Sequence, residues 1–448
     1  MIYVRDIIDR FGGTLVCGNM DLEIKNISKD TRVINEGDIY LGIKGESFDG
    51  NKFYSDAFDK GAIACILDNI DGIDDKYKDK TIILVDDTIR LIQELAKYKR
   101  SLYDIPVIGV TGSVGKTSTK DMIYSVLSTK YKVLKTEGNN NNHIGLPLTI
   151  LRLKDEDVMI LEMGMNHFGE ITLLTDIAKP TIGVITNIGT AHIGNLGSRE
   201  NIMKAKLEIV EGLNGPLIVN SDNDIVYDNL DYIKSISDVI TIGVDNDSDY
   251  KANIIEDNRF IVDGVEIESP VNNRAFIYNS MMGYVVGKLC NVDDSDIRRG
   301  ISNLNLSANR LEYKEYRDGI VFIDDSYNAS LDSIKSSLEI LRNEKCNRRI
   351  AVIGDVLELG GYSENIHKEI GNEIFNSNLD YVITVGEYTK HTDKYLKDNG
   401  FSNVKHFDKE NDSYSFIEGL LREGDVVLFK GSHGIKLNNI VKYLIDNR

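Results

Sequence analysis

Short apolar runs of strand length alternate with longer amphipathic stretches along almost the whole chain. Such alternation is typical of βαβ units, in which crossover helices join parallel strands. The sequence therefore predicts the α/β class with mainly parallel sheets. The chain has 448 residues, which corresponds to about three domains at roughly 150 residues each.

The strand-like runs fall into three series, which predict three domains. The first domain, over residues 1–103, has its runs at 38–43, 63–67 and 81–85. The second, over residues 104–307, has a central sheet with runs at 106–110, 158–163, 181–187 and 216–220. The third, over residues 308–448, is expected to be Rossmann-like, because its runs at 319–325, 348–355, 381–386 and 424–431 each end in glycine or a carboxylate.

Composition argues against several classes of function. The 52 basic and 71 acidic residues give a net charge of −19, so we expect no long-range attraction to nucleic acid or to anionic lipid. The four cysteines are far apart and form no C-x-x-C pair, which argues against a zinc site or a disulfide framework. No run approaches the roughly 18 apolar residues of a membrane span. The first residues also lack a signal-peptide pattern, and we expect a cytoplasmic protein without membrane insertion.

The central series opens with a strand, a glycine loop and a helix in direct succession, PVIGV-TGSVGKTST-KDMIYSVLS. Gly112 and Gly115 allow the backbone to turn so that its N–H groups point into one concavity at a helix N-terminus, which favours phosphate. Lys116 then offers a positive charge to the terminal phosphates, and the Thr117 hydroxyl can ligate Mg²⁺. Val110 replaces the first glycine of the strict motif, so a plain βα turn with an incidental lysine is the alternative.

Polar residues follow the next two strands of the central series. Glu162 ends a strand, where doubly wound folds place ligand-facing residues, so its carboxylate can bind Mg²⁺ directly or through water. A helix cap is the alternative for this residue. Asn187 and His192 follow the next strand. From the residues alone, His192 is more readily a surface residue than a Mg²⁺ ligand, because Mg²⁺ favours oxygen over imidazole.

Lys206 lies inside an apolar helical stripe that includes Ile202, Met203, Ile209 and Val210. A bare ammonium there is costly, so burial requires a partner, loss of the proton or chemical modification. The alternative is a long side chain that reaches from the stripe to solvent.

Several blocks of the sequence resemble the Mur ligases and occur in the order that this family has. The chain is most similar to the members that add D-alanyl-D-alanine. It departs from the family at Ala275-Phe276, where a His-Asn pair is usual, and at residues 328–331, where Asn-Ala-Asn-Pro is usual. The matching blocks are DTRVINEGDIYLGIKGESFDGNKF, GVTGSVGKTSTKDM, TEGNNNNHIGLPLT, TNIGTAHIGNLGSRENIMKAKLEIVEGL, IDDSYNASLDSIKSSLEIL, RRIAVIGDVLELGGYSENIHKEIG and GDVVLFKGSHGI.

This resemblance implies a three-domain architecture with a uridine-nucleotide domain, a central P-loop ATPase sheet and a C-terminal Rossmann-like domain. It also implies a reaction in peptidoglycan precursor synthesis. With ATP and Mg²⁺, the carboxylate of a UDP-N-acetylmuramoyl-tripeptide would form an acyl phosphate, which the amine of D-alanyl-D-alanine would then attack. A monomeric enzyme is expected, with closure of the third domain completing the site.

The resemblance further implies roles for individual residues. Asp355 and Glu358 are further candidates for the site, and for the strand-end Asp355 the alternative is a cap of the next helix. The expected catalytic residues are Lys116, Glu162, His192 and Lys206; the expected Mg²⁺ contacts are Thr117, Glu162, His192 and Lys206 after carbamylation by CO₂. The expected ATP contacts are Gly112, Ser113, Gly115, Lys116, Thr117, Ser118, Asn187, Asn279, Arg310 and Asp325. The expected substrate contacts are Thr31, Arg32, Lys44, Gly45, Asp49, Gly50, Asn139, Asn141, Asn142, Tyr327, Asn328, Lys430 and Ser432.

Two other functions remain open at this level. One is a Mur-like ligase that joins a different amine to a different carboxylate. The other is a nucleotide-binding regulator or partner subunit that kept the phosphate loop and lost ligation, which the departure at Ala275-Phe276 permits.

Overall fold

The computed structural model describes residues 2–45, 48–70 and 72–447. This part of the chain forms sheets of five, seven, three and six strands. Most neighbouring strands in the three larger sheets are parallel, and helices connect them. The predicted α/β class is therefore confirmed. We call the parts that carry the first, the central and the last sheet the N-terminal, central and C-terminal units.

The N-terminal unit is built on β1 (Thr14–Cys17), β2 (Ile27–Ser28), β3 (Ile39–Leu41), β4 (Ala64–Leu67) and β5 (Thr81–Leu84), with α1 (Val4–Phe11), α2 (Tyr54–Asp59) and α3 (Thr88–Ser101). The strand order is β1-β5-β4-β3-β2, and β1 is antiparallel to β5. Asp87 caps α3 by accepting two backbone N–H groups of the first turn. The helix buries Leu91, Ile92 and Leu95 in the core of this unit.

The central unit contains seven parallel strands, β6 (Val107–Thr111), β7 (Val133–Lys135), β8 (Val158–Glu162), β9 (Ile182–Ile185), β10 (Leu217–Asn220), β11 (Val239–Gly243) and β12 (Tyr250–Lys251). Their order is β12-β11-β10-β9-β6-β8-β7. Chain order reverses beside β6, and open α/β sheets bind ligands at the carboxyl ends of strands at such a point. A small antiparallel sheet of β13 (Asn253–Glu256), β14 (Arg259–Val262) and β15 (Val265–Glu268) follows.

The helices of the central unit pack on both sides of its sheet. The phosphate-loop helix α4 contributes Met122, Ile123 and Val126 to a core that it shares with α11. These helices are α4 (Lys116–Leu127), α5 (Gly145–Leu151), α6 (Glu170–Ala178), α7 (Ile193–Leu196), α8 (Arg199–Leu207), α9 (Asp224–Asp228), α10 (Leu230–Ile236), α11 (Arg274–Leu289) and α12 (Asp294–Ser302).

The C-terminal unit contains β16 (Glu312–Glu315), β17 (Val321–Asp324), β18 (Arg348–Gly354), β19 (Tyr381–Val385), β20 (Val404–Phe407) and β21 (Asp425–Lys430). The order is β16-β17-β21-β18-β19-β20, and β16 is antiparallel to β17. Its helices are α13 (Leu331–Asn343), α14 (Ser363–Phe375), α15 (Thr389–Asp398), α16 (Tyr414–Leu420) and α17 (Asn438–Asp446). Of the helices in the described residues, none has both the length and the apolar character needed to cross a membrane.

The C-terminal unit lies against the loop that follows β9. The carboxylate of Asp332 accepts the backbone N–H of Thr190 at 3.1 Å and its hydroxyl at 3.3 Å. A Cβ on Gly189 would lie only 2.2 Å from the same carboxylate. Further along this contact, the Asn273 amide donates to Oε2 of Glu339 at 2.7 Å. The two units therefore meet directly at the carboxyl edge of the central sheet.

Candidate functional site

The glycine loop between β6 and α4 forms a tight turn at the carboxyl edge of the central sheet. Gly112 has φ +148° and Gly115 has φ +82°, in the region that favours glycine. A Cβ on Gly112 would lie 1.8 Å from Oγ1 of Thr186, so only glycine allows this close approach. Gly115 is the N-cap of α4, and Ser118 lies in the first turn. The helix dipole and its free N–H groups favour an anion here.

The chain after β9 braces this loop. The Asn187 carbonyl accepts the N–H of Ser113 at 3.0 Å, and its side-chain oxygen accepts the N–H of Val114 at 2.9 Å. Oγ of Ser113 in turn accepts the N–H of Gly189 at 2.9 Å. Asn187, which the sequence predicts as an ATP contact, therefore also fixes the shape of the loop.

Thr117 and Glu162 meet beside the loop. The Thr117 hydroxyl donates to Oε2 of Glu162 at 2.8 Å, and the Asn141 amide donates to Oε1 at 2.9 Å. Glu162 is only 2% exposed, at the end of β8. Lys116 extends along the loop, and its Nζ donates to the Gly112 carbonyl at 2.7 Å. The structure thus brings together three of the predicted catalytic and metal-binding residues.

Lys206 is 1% exposed on α8, which rules out the alternative of a side chain that reaches solvent. Burial holds the pKa of Lys206 well below its ordinary value, and the charge of Lys116 lowers it further. Burial also lowers the pKa of Lys116, opposed by Glu162 and reinforced by Arg310. Within the described chain, no hydrogen bond or ion pair reaches the Lys206 amine. The site therefore concentrates positive charge next to one carboxylate, an arrangement suited to a polyanion.

His192 faces the C-terminal unit. Its Nδ1 lies 3.0 Å from Oε2 of Glu358, and this hydrogen bond is the main reason that the pKa of Glu358 lies below its ordinary value. His192 has φ +65° at the start of the short helix α7. In the described residues no contact joins His192 to Thr117 or Glu162. Its Mg²⁺ role stays a prediction.

The oxygens of Thr117 and Glu162 beside the phosphate loop are candidate ligands for Mg²⁺. No group of three or more His, Cys, Asp or Glu side chains in the described ranges is arranged to hold a metal ion. Mg²⁺ does not need such a cage, because it is commonly held by one or two protein oxygens together with waters and substrate phosphates. The adjacent oxygens of Thr117 and Glu162 fit that requirement.

Asn279 on α11 lies next to the phosphate-loop helix. Its side-chain oxygen accepts the Thr119 hydroxyl at 2.9 Å and would lie 3.7 Å from a Cβ on Gly115. Phe276, part of the departure from the family pattern at Ala275-Phe276, is 3% exposed and belongs to the core shared by the central and C-terminal units. Ala275 is half-buried. Phe276 is therefore a packing residue, and Asn279 remains near the loop.

Arg310, Asp325 and Lys430 lie at the start of the C-terminal unit and at the ends of β17 and β21. The Arg310 guanidinium stacks over the Tyr327 ring, 4.2 Å from its centre. Nζ of Lys430 lies 2.6 Å from Oδ2 of Asp325, and both residues are largely buried. Asp325 also accepts the hydroxyl of Ser337 at 2.7 Å. Asp325, a predicted ATP contact, and Lys430, a predicted substrate contact, are thus paired with each other.

Other predicted residues of the C-terminal unit have internal partners. Oγ of Ser432 accepts the N–H of Leu357 at 3.0 Å. The Asp355 carboxylate accepts backbone N–H groups just before and at the start of α15. Asp355 thus caps a helix, as the alternative expected, but the helix is α15 and not α14, which follows it in the chain. Asn328 is exposed, and its side chain accepts the N–H of Ala329.

The three predicted asparagines of the stretch at residues 139–142 lie in different environments. Asn141 reaches Glu162, whereas the side chain of Asn142 accepts the N–H of Gly145 at 2.9 Å and so supports the start of α5. Asn139 is exposed, and its carbonyl accepts the N–H of Asn141. Only Asn141 of the three predicted residues contacts the loop site.

The predicted uridine loop lies in the N-terminal unit. Asp30 caps the short helical turn of Thr31 and Arg32, and its hydrogen bonds with the exposed Arg32 lower the pKa of Asp30 to about 2. Asp49 similarly caps the turn that begins at Gly50. Lys44 pairs in a β-bridge with Asp49, and Gly45 donates its N–H to the Phe48 carbonyl. These residues present two turns at the surface, and nothing in their contacts identifies their ligand.

Thr136, Lys120 and Asp121, none of which is a predicted site residue, support Glu162 from the protein interior. Oγ1 of Thr136 accepts the N–H of Glu162 at 3.0 Å, and its carbonyl accepts the buried Lys120 at 3.0 Å. Asp121, the next residue on α4, is 1% exposed. The Lys-Asp pair directly follows the phosphate-loop motif, but the residues three and four positions from Asp121 on α4 are mostly polar. No local pattern therefore indicated that Asp121 is buried.

Two family models match the chain. Residues 110–287 match the Mur ligase middle domain, and residues 309–433 match the Mur ligase glutamate ligase domain. Among solved structures, MurF from Acinetobacter baumannii superimposes with a TM-score of 0.84 at 29% identity, covering 94% of each chain. MurF from Thermotoga maritima in complex with ADP gives a TM-score of 0.79 at 27% identity, covering 95% of this chain and 98% of that one.

Curated relatives match over nearly the full length. The UDP-N-acetylmuramoyl-tripeptide–D-alanyl-D-alanine ligase of Bacillus subtilis (strain 168) is 36% identical, covering 99% of this chain and 98% of the relative. The ligase of the same name from Escherichia coli (strain K12) is 30% identical, covering 95% of each. The phosphate loop, the order of the three units and this full-length identity agree, and the chain belongs to the Mur ligase family.

Proposed function

We propose that this protein ligates D-alanyl-D-alanine to UDP-N-acetylmuramoyl-tripeptide, with ATP as the energy source, in peptidoglycan precursor synthesis. The observation that carries the proposal is the cluster of Lys116, Thr117, Glu162 and Lys206 at the phosphate loop, in a chain related over its length to ligases of that name. The product is an amide bond, and ADP and phosphate are released.

The residues of the chain supply mainly positioning and charge. The N–H groups of the loop and Lys116 bind the ATP phosphates, and Arg310 adds positive charge from the C-terminal unit. The substrate carboxylate attacks the γ-phosphorus and forms an acyl phosphate. The free amine of the dipeptide then attacks the acyl carbon, and phosphate leaves. Phosphoryl transfer of this kind depends on alignment and on neutralisation of charge more than on covalent help from the protein.

Thr117 and Glu162 would hold Mg²⁺, with His192 as a further contact. When bound, the ion neutralises charge on the β- and γ-phosphates. The low pKa of Lys206 favours the neutral amine, the form that reacts with CO₂. We propose that Lys206 is carbamylated, which would convert an unpaired amine into an anionic group beside Lys116.

The N-terminal unit would bind the uridine nucleotide at the turns around Thr31, Arg32 and residues 44–50, part of which lies outside the described residues. Domain boundaries near 103 and 307 are part of the proposal, since α3 ends at Ser101 and β16 begins at Glu312. One chain carries all the proposed contacts, so we propose a monomer. The four free cysteines suit a cytoplasmic location.

Phosphate release with defined substrates tests this function. The enzyme, ATP and Mg²⁺ are combined with UDP-N-acetylmuramoyl-tripeptide containing lysine or diaminopimelate as its third residue, and with either D-alanyl-D-alanine or D-alanine. We expect release that requires both the acceptor and the dipeptide, with a product mass equal to that of the pentapeptide nucleotide. Equal rates with D-alanine would indicate a different Mur-like ligase. ATP binding without release for any pair would indicate a non-ligating nucleotide-binding protein.

A further inference from the structure

Asp121 is a buried carboxylate that the proposed chemistry does not use. It lies on α4, five positions after Lys116, and is 1% exposed. Its Oδ1 lies 2.9 Å from Nζ of Lys135 and 3.4 Å from Nζ of Lys120. Burial acts to raise the pKa of Asp121, but Lys120, the Ser307 hydroxyl and Lys135 outweigh it and keep the group ionised.

The other oxygen of Asp121 binds the segment that leads into the C-terminal unit. The backbone N–H of Ser307 donates to Oδ2 at 3.0 Å, and the Ser307 hydroxyl donates to the same oxygen at 2.7 Å. Ser307 lies between the end of α12 at Ser302 and the start of β16 at Glu312. This segment is the covalent connection between the central and the C-terminal unit. A contact at Ser307 therefore fixes the position of the connection relative to the phosphate-loop helix.

The ion pair of Asp121 and Lys120 is also linked, through Thr136, to Glu162 beside the phosphate loop. Lys120, which pairs with Asp121, donates to the Thr136 carbonyl at 3.0 Å, and Oγ1 of Thr136 accepts the N–H of Glu162 at 3.0 Å. Asp121 is thus connected in one direction to the strand end that holds Glu162, and in the other to Ser307. Charged hydrogen bonds of this kind are strong, and a buried charge without them is costly.

We propose that Asp121 is a positioning residue that anchors the interdomain segment at Ser307 to the phosphate-loop helix and thereby sets the arrangement of the C-terminal unit over the ATP site. The contact holds the start of that unit at a fixed point relative to the loop. Arg310, which follows Ser307 by three residues, then approaches Lys116 in a defined position. This role rests on the proposed ligase function, because its consequence is alignment of the ATP site with the C-terminal residues.

Ser307→Ala is the sharpest variant, because it removes one donor to Asp121 from a half-buried position and leaves the buried charges paired. Ser307→Thr restores the hydroxyl, and Ser302→Ala, at an exposed serine of the neighbouring helix end, is the matched control. For each protein, kcat and the KM for ATP, the Kd for ADP and the thermal transition are measured. Distances between spin labels at exposed positions 154 and 394 are measured with Cys17 and Cys346 replaced by serine.

We expect Ser307→Ala to lower kcat by about tenfold, as for loss of a hydrogen bond to a charged group. The KM for ATP and the Kd for ADP should stay within about twofold of the parent values, because the loop itself is unchanged. The label distances should broaden. Ser307→Thr should restore both kcat and the distance distribution, and Ser302→Ala should change neither.

Several results would contradict the proposed positioning role of Asp121. A Ser307→Ala protein with parental kcat and an unchanged distance distribution would show that Asp121 does not position the C-terminal unit. A lowered thermal transition with both other readouts unchanged would show that the contact is only structural. Asp121→Asn, if it folds, should exceed the effect of Ser307→Ala; a smaller effect would also contradict the proposal. If the parent enzyme ligates nothing, the proposed function fails, and the label distances still test the anchor.

Discussion

The positive charge of Lys116 lowers the pKa of Lys206, so the two lysines lie within electrostatic reach at the same site. Lys116 has a partner in the Gly112 carbonyl, whereas Lys206 is buried without a described partner. Like charges in a poorly solvated site are unfavourable unless one group is neutral or an anion is present. The charges of Lys116 and Lys206 are therefore not fully compensated in the protein alone, and their site is suited to ligands that supply negative charge.

Replacement of Lys206 by methionine should stabilise the protein while it removes activity. Methionine fills a similar volume and removes the cost of burying an amine without a partner, so the free energy of unfolding should rise by about 1 kcal/mol or more. For a domain of about 150–250 residues, the range that includes the central unit, 1 kcal/mol corresponds to roughly 2–4 °C in the thermal transition. Scanning calorimetry in bicarbonate-free buffer measures it. A Lys206→Met protein less stable than the parent would contradict an uncompensated buried amine.

The stability difference between this variant and the parent should depend on pH. The pKa of Lys206 is lower in the folded protein than in the unfolded chain, so in the window between the lowered pKa and about 10.5 the unfolded chain binds the extra proton. Parent stability therefore rises with pH across that window. Methionine does not titrate, and the advantage of Lys206→Met should shrink as the pH approaches 10. Denaturant unfolding at several pH values measures it, and an advantage that grows with pH would contradict the assigned shift.

Lys206→Ala should lower turnover far more than it weakens ATP binding. Without the lysine no carbamate can form, so the anionic group proposed beside Lys116 is lost, while the loop that binds phosphate remains. Added formate or acetate should restore part of the rate by entering the space of the missing side chain. A high-resolution structure of the parent grown without acid should show three additional heavy atoms beyond Nζ. Near-normal turnover of Lys206→Ala would contradict the carbamate.

Lys116→Ala should abolish ligation and leave the thermal transition unchanged. The amine of Lys116 donates to a loop carbonyl and supports no core, so its loss should remove charge from the phosphate site alone. Steady-state phosphate release should fall below about a tenth of the parent rate, which is roughly 1.4 kcal/mol of barrier. Lys154→Ala, at an exposed lysine of the same unit, should behave as the parent. More than a tenth of the activity in Lys116→Ala would remove this residue from the ATP site.

The predicted strand runs all appear in the fold, with ends displaced by at most two residues. Runs such as Val158–Glu162 are buried on both faces of a parallel sheet, and so their sequence is continuously apolar. The small sheet of β13, β14 and β15 was not predicted. Its first strand, Asn253–Glu256, is exposed throughout and has no buried face to indicate it. The alternation of apolar and charged residues in Val265–Glu268 was available as a signal for its third strand and was overlooked.

The site was predictable where its residues are close in sequence. Gly115, Lys116 and Thr117 follow one another, and their order after a strand carries the signal. The contact of Thr117 with Glu162 and that of Thr190 with Asp332 join residues 45 and 142 positions apart. No local pattern specifies such pairs, because they depend on how the sheet edge and the C-terminal unit pack together. The pairing of Lys430 with Asp325 was missed for the same reason.

Gly189→Ala should uncouple the C-terminal unit from the site. A Cβ at this position would lie 2.2 Å from Oδ2 of Asp332 but 3.4 Å from Cβ of Ser113, an ordinary contact. The clash therefore acts on the interdomain contact and spares the phosphate loop. We expect kcat to fall by about tenfold or more, and the Kd for ADP to stay within about threefold of the parent value.

The matched control for this prediction is Gly361→Ala, in the C-terminal unit. A Cβ on Gly361 would meet nothing within 4 Å, so this variant should keep the parental kcat. A combined Gly189→Ala, Asp332→Ala protein removes the group that the new methyl would strike. If the clash with Asp332 is the cause, the double variant should recover activity relative to Gly189→Ala, up to the level of Asp332→Ala alone. If the loss of activity in the double variant instead equals the sum of the losses in the two single variants, Gly189 acts through the phosphate loop and not through Asp332.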